Sequence, residues 1–494
     1  MSLFSPRTYQ SAYRPYRTDE DSLALKVFTS VEKVTKGVLF GCRMCGNCIL
    51  RETAFVCPMT CPKGMRNGLC GGATPEACEV DPSRPCTWYV IYERAERMGR
   101  EDALLEINAP MDGDKVGRAT WLEVAKTWRA HNRGPSAIDF VANRKKFSDE
   151  WNQFFCNLRQ PDWWQGDSEF HAAQYEEPIS NFEKSLRSGI FTTVTEIAPP
   201  LGATTAIIEK KVSWIKGYVS AANFTDNASA SARMSSVACS RICMDLGIEP
   251  IVQMQARDRT RVVIESDAMG MAGLGMKNLL VVTGDHHRFG PSPRSTPTQF
   301  DMDSVQVLWM LRRMRDEGVY LDGRSIKNRP EWFLGAAASP YGAIPRYEAL
   351  RFEKKINAGA QFIQTQPVFD YDRYLEWLEA LDKRNLLGKA YILAGLVPLK
   401  SAKAAHFMDE NVPGVVIPPE IIKRMDDAGD KEGQQEVGAE IALELIEKIT
   451  GTSGISGLHI MAVHWEQIVP RLVEESALPR PIEFGKNEGV LQAE

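Results

Sequence analysis

From Leu186 onward, apolar and polar positions alternate in a regular way. Short β-rich runs recur at 190–197, 217–222, 249–255, 278–283, 332–338, 361–366, 391–397 and 457–463. Between them lie stretches with one apolar face at helical spacing, at 228–246, 259–272, 303–317, 345–357, 371–385 and 433–450. In the last, Val437, Ile441, Leu445 and Ile449 keep a four-residue step. Eight strand–helix repeats predict an α/β fold, a (β/α)8 TIM barrel over residues 189–480, with a doubly wound open sheet as the alternative. The glycine cluster Gly270, Gly273 and Gly275 precedes a strand, so it ends a helix and is no dinucleotide fingerprint.

Ahead of the barrel the pattern is irregular. Residues 1–22 form an arm with Tyr9, Tyr13 and Tyr16 among Arg and Pro. Leu23 to Val38 can form a helix with Leu25, Val27, Phe28, Val31 and Val34 on one face. Residues 23–105 are expected to be a small Cys-rich metal-binding domain, ending in a helix from Thr87 to about Arg100 that packs on the metal loops. Residues 106–188 read as a connector on the barrel surface, with an amphipathic helix from Thr120 to His131 and aromatics at Phe154, Trp163 and Trp164 that suit interdomain packing. Residues 481–494 are a tail.

The 494 residues are too many for one ordinary core, and the net charge of -5 carries no bias toward nucleic acid. No apolar run approaches the ~20 residues of a membrane span, and no secretion signal opens the chain, so a cytoplasmic location is expected.

Cysteine changes the picture. Eight of the 11 cysteines lie between Cys42 and Cys86: Cys42, Cys45, Cys48, Cys57, Cys61, Cys70, Cys78 and Cys86. In a reducing compartment such clustering points to metal. Three thiols two residues apart suit iron–sulfur ligation, with [4Fe-4S] the favoured centre. The eight residues between Cys48 and Cys57 depart from the ferredoxin spacing, and structural zinc is the alternative. Eight ligands suit two centres, and spacing does not say which Cys serves which. Cys239 and Cys243, one helical turn apart, read as buried thiols.

In a parallel barrel the carboxyl ends of the strands collect the chemistry. The first run, Thr192 to Ala198, carries Glu196 between apolar neighbours and stops at Pro199-Pro200. A carboxyl walled in this way has its pKa raised and can act as an acid; capping a helix or pairing with an Arg is the plainer role. Other strand ends supply Asn223, Gln253 and Gln255, Thr283-Gly284-Asp285, Ser339, Gln366 with Phe369, and Lys400-Ser401. Amides and two carboxylates suit a polar heterocycle better than a sugar phosphate. Each has a plainer reading: Asp285 as a turn or N-cap residue, His286-His287 as a solvated loop, Lys355 as a surface lysine, Phe369 as packing.

Glu-x-x-Pro-Pro at 196–200, Thr-Gly-Asp at 283–285 and Thr-Gln-Pro-Val-Phe-Asp at 365–370 occur in an order that resembles the methylenetetrahydrofolate reductase family. The Cys-rich segment resembles the small partner protein, or C-terminal extension, that accompanies this reductase in acetogenic bacteria. The resemblance implies a flavin, FAD with FMN as rival, and a tetrahydrofolate substrate. It implies catalytic roles for Glu196, as general acid, and Asp285. Flavin-lining positions would be Gln253, Gln255, Thr283, Gly284, Asp285, Phe300, Ala337, Ser339 and Lys355, and folate contacts Glu196, Asp285, Gln366 and Phe369. The sequence departs from better-known bacterial members, which have His where Gln253 stands and Arg where Thr283 stands. The implied reaction interconverts 5,10-methylenetetrahydrofolate and 5-methyltetrahydrofolate, with hydride from flavin N5. Electrons would come from NAD(P)H or a ferredoxin-like donor, and a homo-oligomer is compatible with this reading. A tetrahydrofolate-dependent methyltransferase without redox chemistry is the alternative, and a non-catalytic docking subunit a third.

Overall fold

The computed structural model describes residues 23–120, 160–161, 163–291 and 300–481. The expected N-terminal arm, most of the helix from Thr120 to His131, Phe154 and all but the first residue of the tail lie outside the described residues.

Eight parallel strands close into one barrel in chain order. They are β1 (Thr192–Ile197), β2 (Ala221–Phe224), β3 (Glu249–Gln255), β4 (Asn278–Val282), β5 (Phe333–Ala338), β6 (Phe362–Pro367), β7 (Tyr391–Leu396) and β8 (Gly457–Ile460). Closure is made by β1 pairing with β8, where Val194 lies opposite His459. The second strand starts four residues later than its apolar run suggests. The residues before it, from the left-handed Gly217 onward, turn the chain out of the preceding helix. The helix expected at 228–246 forms only over Ser236–Asp245, capped by Ser235 accepting from the Ala238 amide. Asn227, Ser229 and Ala230 take left-handed backbone angles, which no helix can absorb. Helices at Ala206–Ile215, Ala402–Asn411, Pro419–Asp427 and Val469–Glu475 lie between the strands or after the last, outside the clearest periodic stretches.

Alternation along each strand divides the core in two. Outward residues such as Ile197, Phe224, Val252, Val281, Ile363, Leu458 and Ile460 pack under the helices. Inward residues Val194, Ala221, Ile251, Leu280, Phe333, Phe362 and Leu393 fill the amino-terminal half of the interior, closed from below by Phe182 and Leu186 of the helix Asn181–Arg187. The Phe182 ring meets Phe333 and Phe362 edge-on, at centroid distances of 5.6 and 5.3 Å.

The Cys-rich segment has two helices, α1 (Leu23–Phe40) and α2 (Thr87–Arg97). Val27, Val31 and Val34 of the expected apolar face are 56%, 54% and 66% exposed. The opposite face is the buried one: Glu32 and Lys36 pair at 2.5 Å, and Glu32 accepts from the Thr120 amide. The helix α2 packs Trp88, Ile91 and Tyr92 against Tyr347 and Leu350 of the barrel helix Pro345–Asn357. Part of the segment expected to lie on the surface is core: Trp164 is fully buried, donates to the Ile107 carbonyl and accepts from Trp309 through its own.

Phe182→Ala opens a cavity beneath the barrel, against Phe333 and Phe362. Chemical denaturation should show a loss of about 3–5 kcal/mol while the carboxyl-end site keeps its geometry.

Candidate functional site

The inward positions near the carboxyl ends are polar. Because Ile197, Phe224, Val252, Ile363, Leu458 and Ile460 face the helices, Glu196, Asn223, Gln253, Gln364 and His459 face the interior. Asn223 and Gln364 exchange hydrogen bonds at 2.6 and 3.1 Å and satisfy each other. Gln253 Nε2 donates to Glu196 Oε2 at 2.9 Å. His459 Nε2 lies 3.7 Å from the same oxygen.

Glu196 retains 18% side-chain exposure toward the mouth. Burial nevertheless lifts its pKa from 4.5 to about 7, against the opposing pull of the Gln253 bond. No charged partner acts on it. His459 is buried, and desolvation alone drives its imidazole down to about 3, so the ring is neutral. Among the described residues neither of its nitrogens has a hydrogen-bond partner.

Around this neutral interior runs a charged rim. Asp226 accepts from the Gln255 amide at 3.1 Å and pairs with Arg259 at 2.6 Å. Asp258 accepts from Gln255 Nε2 at 2.6 Å and pairs with Arg257 at 2.7 Å. Gln255 Oε1 is buried without a partner beside Gly284, whose φ of +93° and close approach (a Cβ would stand 2.5 Å from Oε1) both require glycine. Thr283 accepts from the Ser304 amide at 3.1 Å. Asp285 accepts from the Ser229 amide at 2.7 Å, and its carbonyl accepts from Arg257. Lys355 is buried with its ammonium on the Ala337 carbonyl, and desolvation holds it well below the ordinary lysine value. Phe300 stacks on His286 at 6.5 Å.

The structure thus joins Glu196 to Gln253, Gln255 to Gly284, and Lys355 to Ala337. Among the described residues no hydrogen bond links Glu196 to Asp285 or to Gln366. Phe369 is 3% exposed and packs in the core between strands and helices. His459, Arg257 and Asp258 were not singled out from sequence. His459 sits in Gly-Leu-His-Ile-Met, a context indistinguishable from a core strand.

The Cys-rich segment completes the rim. Ser339 donates to the Gly71 carbonyl at 3.4 Å, Phe300 donates its amide to the Lys63 carbonyl, and Lys63 Nζ reaches the Gly284 carbonyl at 3.4 Å. Burial works against the charge on Lys63, but Cys70, Glu79 and Asp285 overcome it and keep the ammonium. Asp303, N-cap of the helix Ser304–Asp316, also accepts from the Arg66 amide and the Asn67 side chain.

The eight thiols fall into two neighbourhoods. Cys42, Cys45, Cys48 and Cys57 line one cavity, walled also by Lys36, Arg66 and Arg118. Cys61, Cys70, Cys78 and Cys86 act on one another electrostatically, and Cys70, raised by burial and by Glu79, is opposed in this by Lys63 and Arg351. Burial raises Cys42 to about 11 and Cys57, Cys61 and Cys86 to about 12. As placed, no three Cys, His, Asp or Glu side chains among the described residues converge as a closed metal site. The donor chemistry fits a thiolate-bound centre whose negative charge the flanking cations offset, once the Cys side chains turn inward.

The fold and rim define a barrel protein whose polar and titratable groups gather at the carboxyl ends of the strands, with a carboxyl there raised by burial to about 7. Residues 181–477 match the model of the methylenetetrahydrofolate reductase family, and the chain belongs to that family. Residues 23–114 match the segment described as methylene-tetrahydrofolate reductase C terminal, which here lies ahead of the barrel. Curated relatives include methylenetetrahydrofolate reductase 1 of Schizosaccharomyces pombe, 28% identical over 165 residues (30% of this chain, 25% of that protein). Another is methylenetetrahydrofolate reductase (NADH) 1 of Zea mays, 25% identical over 218 residues (42% of this chain). The chain spans 25% and 35% of their lengths. Among solved structures, a Clostridium thermocellum protein described as binding two copies of 5-methyl-5,6,7,8-tetrahydrofolic acid is 18% identical, with a TM-score of 0.43, covering 60% of this chain and 98% of that one. No helix among the described residues is long and apolar enough to cross a membrane.

Asp303→Ala removes a helix cap and leaves the Asn67 side chain and Arg66 amide without their acceptor. The variant should lose about 2 kcal/mol or more, and limited proteolysis should cut between the Cys-rich segment and the barrel sooner than in the parent.

Proposed function

We propose that this chain interconverts 5,10-methylenetetrahydrofolate and 5-methyltetrahydrofolate with the help of a bound flavin. The observation that carries the proposal is the Glu196 carboxyl, held protonated up to about pH 7 inside a barrel of this family. Glu196 gives its proton to the bridging nitrogen of the substrate's five-membered ring, which opens to an iminium. Gln253 holds the carboxyl in one orientation through that step. The Asp285 carboxylate steadies the cation, and the Gln366 amide takes an edge of the pterin.

The rim residues fit a flavin. The unpartnered Gln255 Oε1 offers an acceptor and the Gly284 backbone permits close approach, and Thr283, Phe300, Ala337, Ser339 and Lys355 are the further residues we assign to the flavin. When bound, the flavin supplies the hydride. Thr283, standing where better-known members carry Arg, leaves FMN as well as FAD open.

The contacts of Gly71 with Ser339 and of Lys63 with Gly284 favour a second role for the Cys-rich segment. We take the two thiol groups to hold iron–sulfur centres that relay electrons to the barrel from a ferredoxin-like or NADH-linked donor. The group around Cys70 would stand next to the rim. The visible spectrum and metal content of anaerobically purified protein decide this. Iron with sulfide and a brown colour fit the relay. Zinc in a yellow protein makes the segment structural and points to NAD(P)H as direct reductant. A colourless protein without flavin favours the methyltransferase alternative.

Glu196→Gln should bind flavin normally and lose turnover by about a hundredfold or more. Unimpaired turnover would remove Glu196 from the acid's role. Reduction of the folate by the parent protein should fall as pH rises through about 7, where the carboxyl ionises. The same shift has a sign for stability: with its folded pKa raised from 4.5 to about 7, Glu196 contributes stability that is full below pH 4.5 and lost as pH rises through 7.

A further inference from the structure

The proton transfer assigned to Glu196 leaves a problem that the hydrogen bonds around it do not solve. After donation the group is a carboxylate with room for about four acceptor contacts, and among the described residues Gln253 Nε2 is its single side-chain donor. A buried anion this poorly solvated is costly, and the cost falls on the reacting state.

We infer that His459 is a positioning residue for Glu196, turning its neutral Nε2–H onto Oε2 when the acid has given up its proton. This rests on Glu196 being the acid. The geometry is specific. His459 lies opposite Val194 across the β1–β8 seam, and Glu196 is two residues further along β1, so both side chains point inward on adjoining strands. Nε2 stands 3.7 Å from Oε2, and closing to about 2.9 Å needs only a modest change in χ2, a torsion that is soft in histidine. Neither ring nitrogen is engaged elsewhere among the described residues, so the move breaks no hydrogen bond.

The ring must act as a neutral donor. Burial alone drives the imidazolium down, and the carboxyl beside it, Glu196, carries no charge to offset that while it keeps its proton. The other polar groups at this level are neutral: Gln253 on β3, Asn223 on β2 and Gln364 on β6, the last two occupied with each other. The rim ions are committed among themselves, Asp226 to Arg259 and Asp258 to Arg257. A donor that engages the anion more strongly than the acid makes Glu196 a stronger acid at the moment of transfer, without a fixed cation that would strip its proton beforehand.

The test follows the Glu196 proton directly in the holoprotein, by pH-difference infrared spectroscopy of the carboxylic C=O band, assigned by its loss in Glu196→Gln. His459→Met keeps much of the volume and removes the N–H; His459→Gln keeps an N–H. The Met variant should move the titration midpoint up by about one pH unit, a tenfold change, and the Gln variant should return it most of the way. An unchanged midpoint in His459→Met, or equal shifts in both variants, overturns the proposal. Melting curves and flavin content confirm that each variant is folded; if Met does not fold, His459→Asn, too short to reach, takes its place under the same criterion. Turnover separates the two readings. A shifted titration with an unshifted pH profile of folate reduction would keep the His459 contact and reject Glu196 as the acid.

Discussion

A carboxyl group can sit inside a parallel barrel with no cation beside it only while it keeps its proton, and the arrangement of charge in this molecule follows from that. Glu196 is lifted from 4.5 to about 7 by burial, a differential of about 3 kcal/mol between its two forms. A neutral hydrogen bond such as that from Gln253 returns about 1 kcal/mol, so burial wins. The polar neighbours at its level are two amides that satisfy each other, one amide donor and one neutral imidazole. Formal charges begin at the rim, where they are paired: Asp226 with Arg259, Asp258 with Arg257, Lys63 with Glu79. The interior therefore presents no ion that would strip the proton, while the rim offers ions and orphaned acceptors to whatever covers the mouth.

That rim is not made by the barrel alone. Asp303 caps its own helix and receives Arg66 and Asn67 from the Cys-rich segment, so one buried carboxylate serves local and long-range structure together. Lys354, held at about 7 by burial, donates to the Leu104 carbonyl and ties the barrel helix Pro345–Asn357 to the segment after α2. Through these contacts the backbone at Cys70-Gly71-Gly72 lies against Ser339 and Pro413. Loosening the Cys-rich segment would therefore alter the mouth as well as the thiol groups, because Lys63, Gly71 and Gly284 belong to one surface.

The architecture was legible because parallel strands and their covering helices repeat two unmistakable periods, and most strand boundaries agree within two residues. The exceptions have local causes. Left-handed residues at 227–230 delay one helix, and a turn after Gly217 delays one strand. Glu196 stood out because apolar residues flank it and Pro199-Pro200 ends its strand. His459 did not, since a lone histidine between leucine and isoleucine reads as packing until closure of the barrel places it across the seam from β1. In α1 the pattern misdirects: the valine stripe is exposed, and a Glu–Lys pair with Thr120 fills the buried face. Hydrophobic periodicity assumes that polar side chains cannot be satisfied inside, which fails where ions pair. The division of the thiols was closed to sequence reasoning for another reason: spacing limits which cysteines can share a centre, but only the chain path shows which do.

Gln253 shows how narrow the choice at this site is. Among the described residues it is the side-chain donor already on the carboxyl. A protonated histidine there would stand beside Oε2 as a cation and pull Glu196 back toward the ordinary carboxylate range, costing it the proton near neutrality. A neutral histidine would donate much as the amide does. The amide cannot change its charge, so in this chain the acidity of Glu196 depends on burial and on neutral donors alone. The imidazole near the carboxyl, His459, is kept neutral by its own burial. Below about pH 7 the titratable proton of this pair therefore resides on Glu196, while the His459 ring stays neutral.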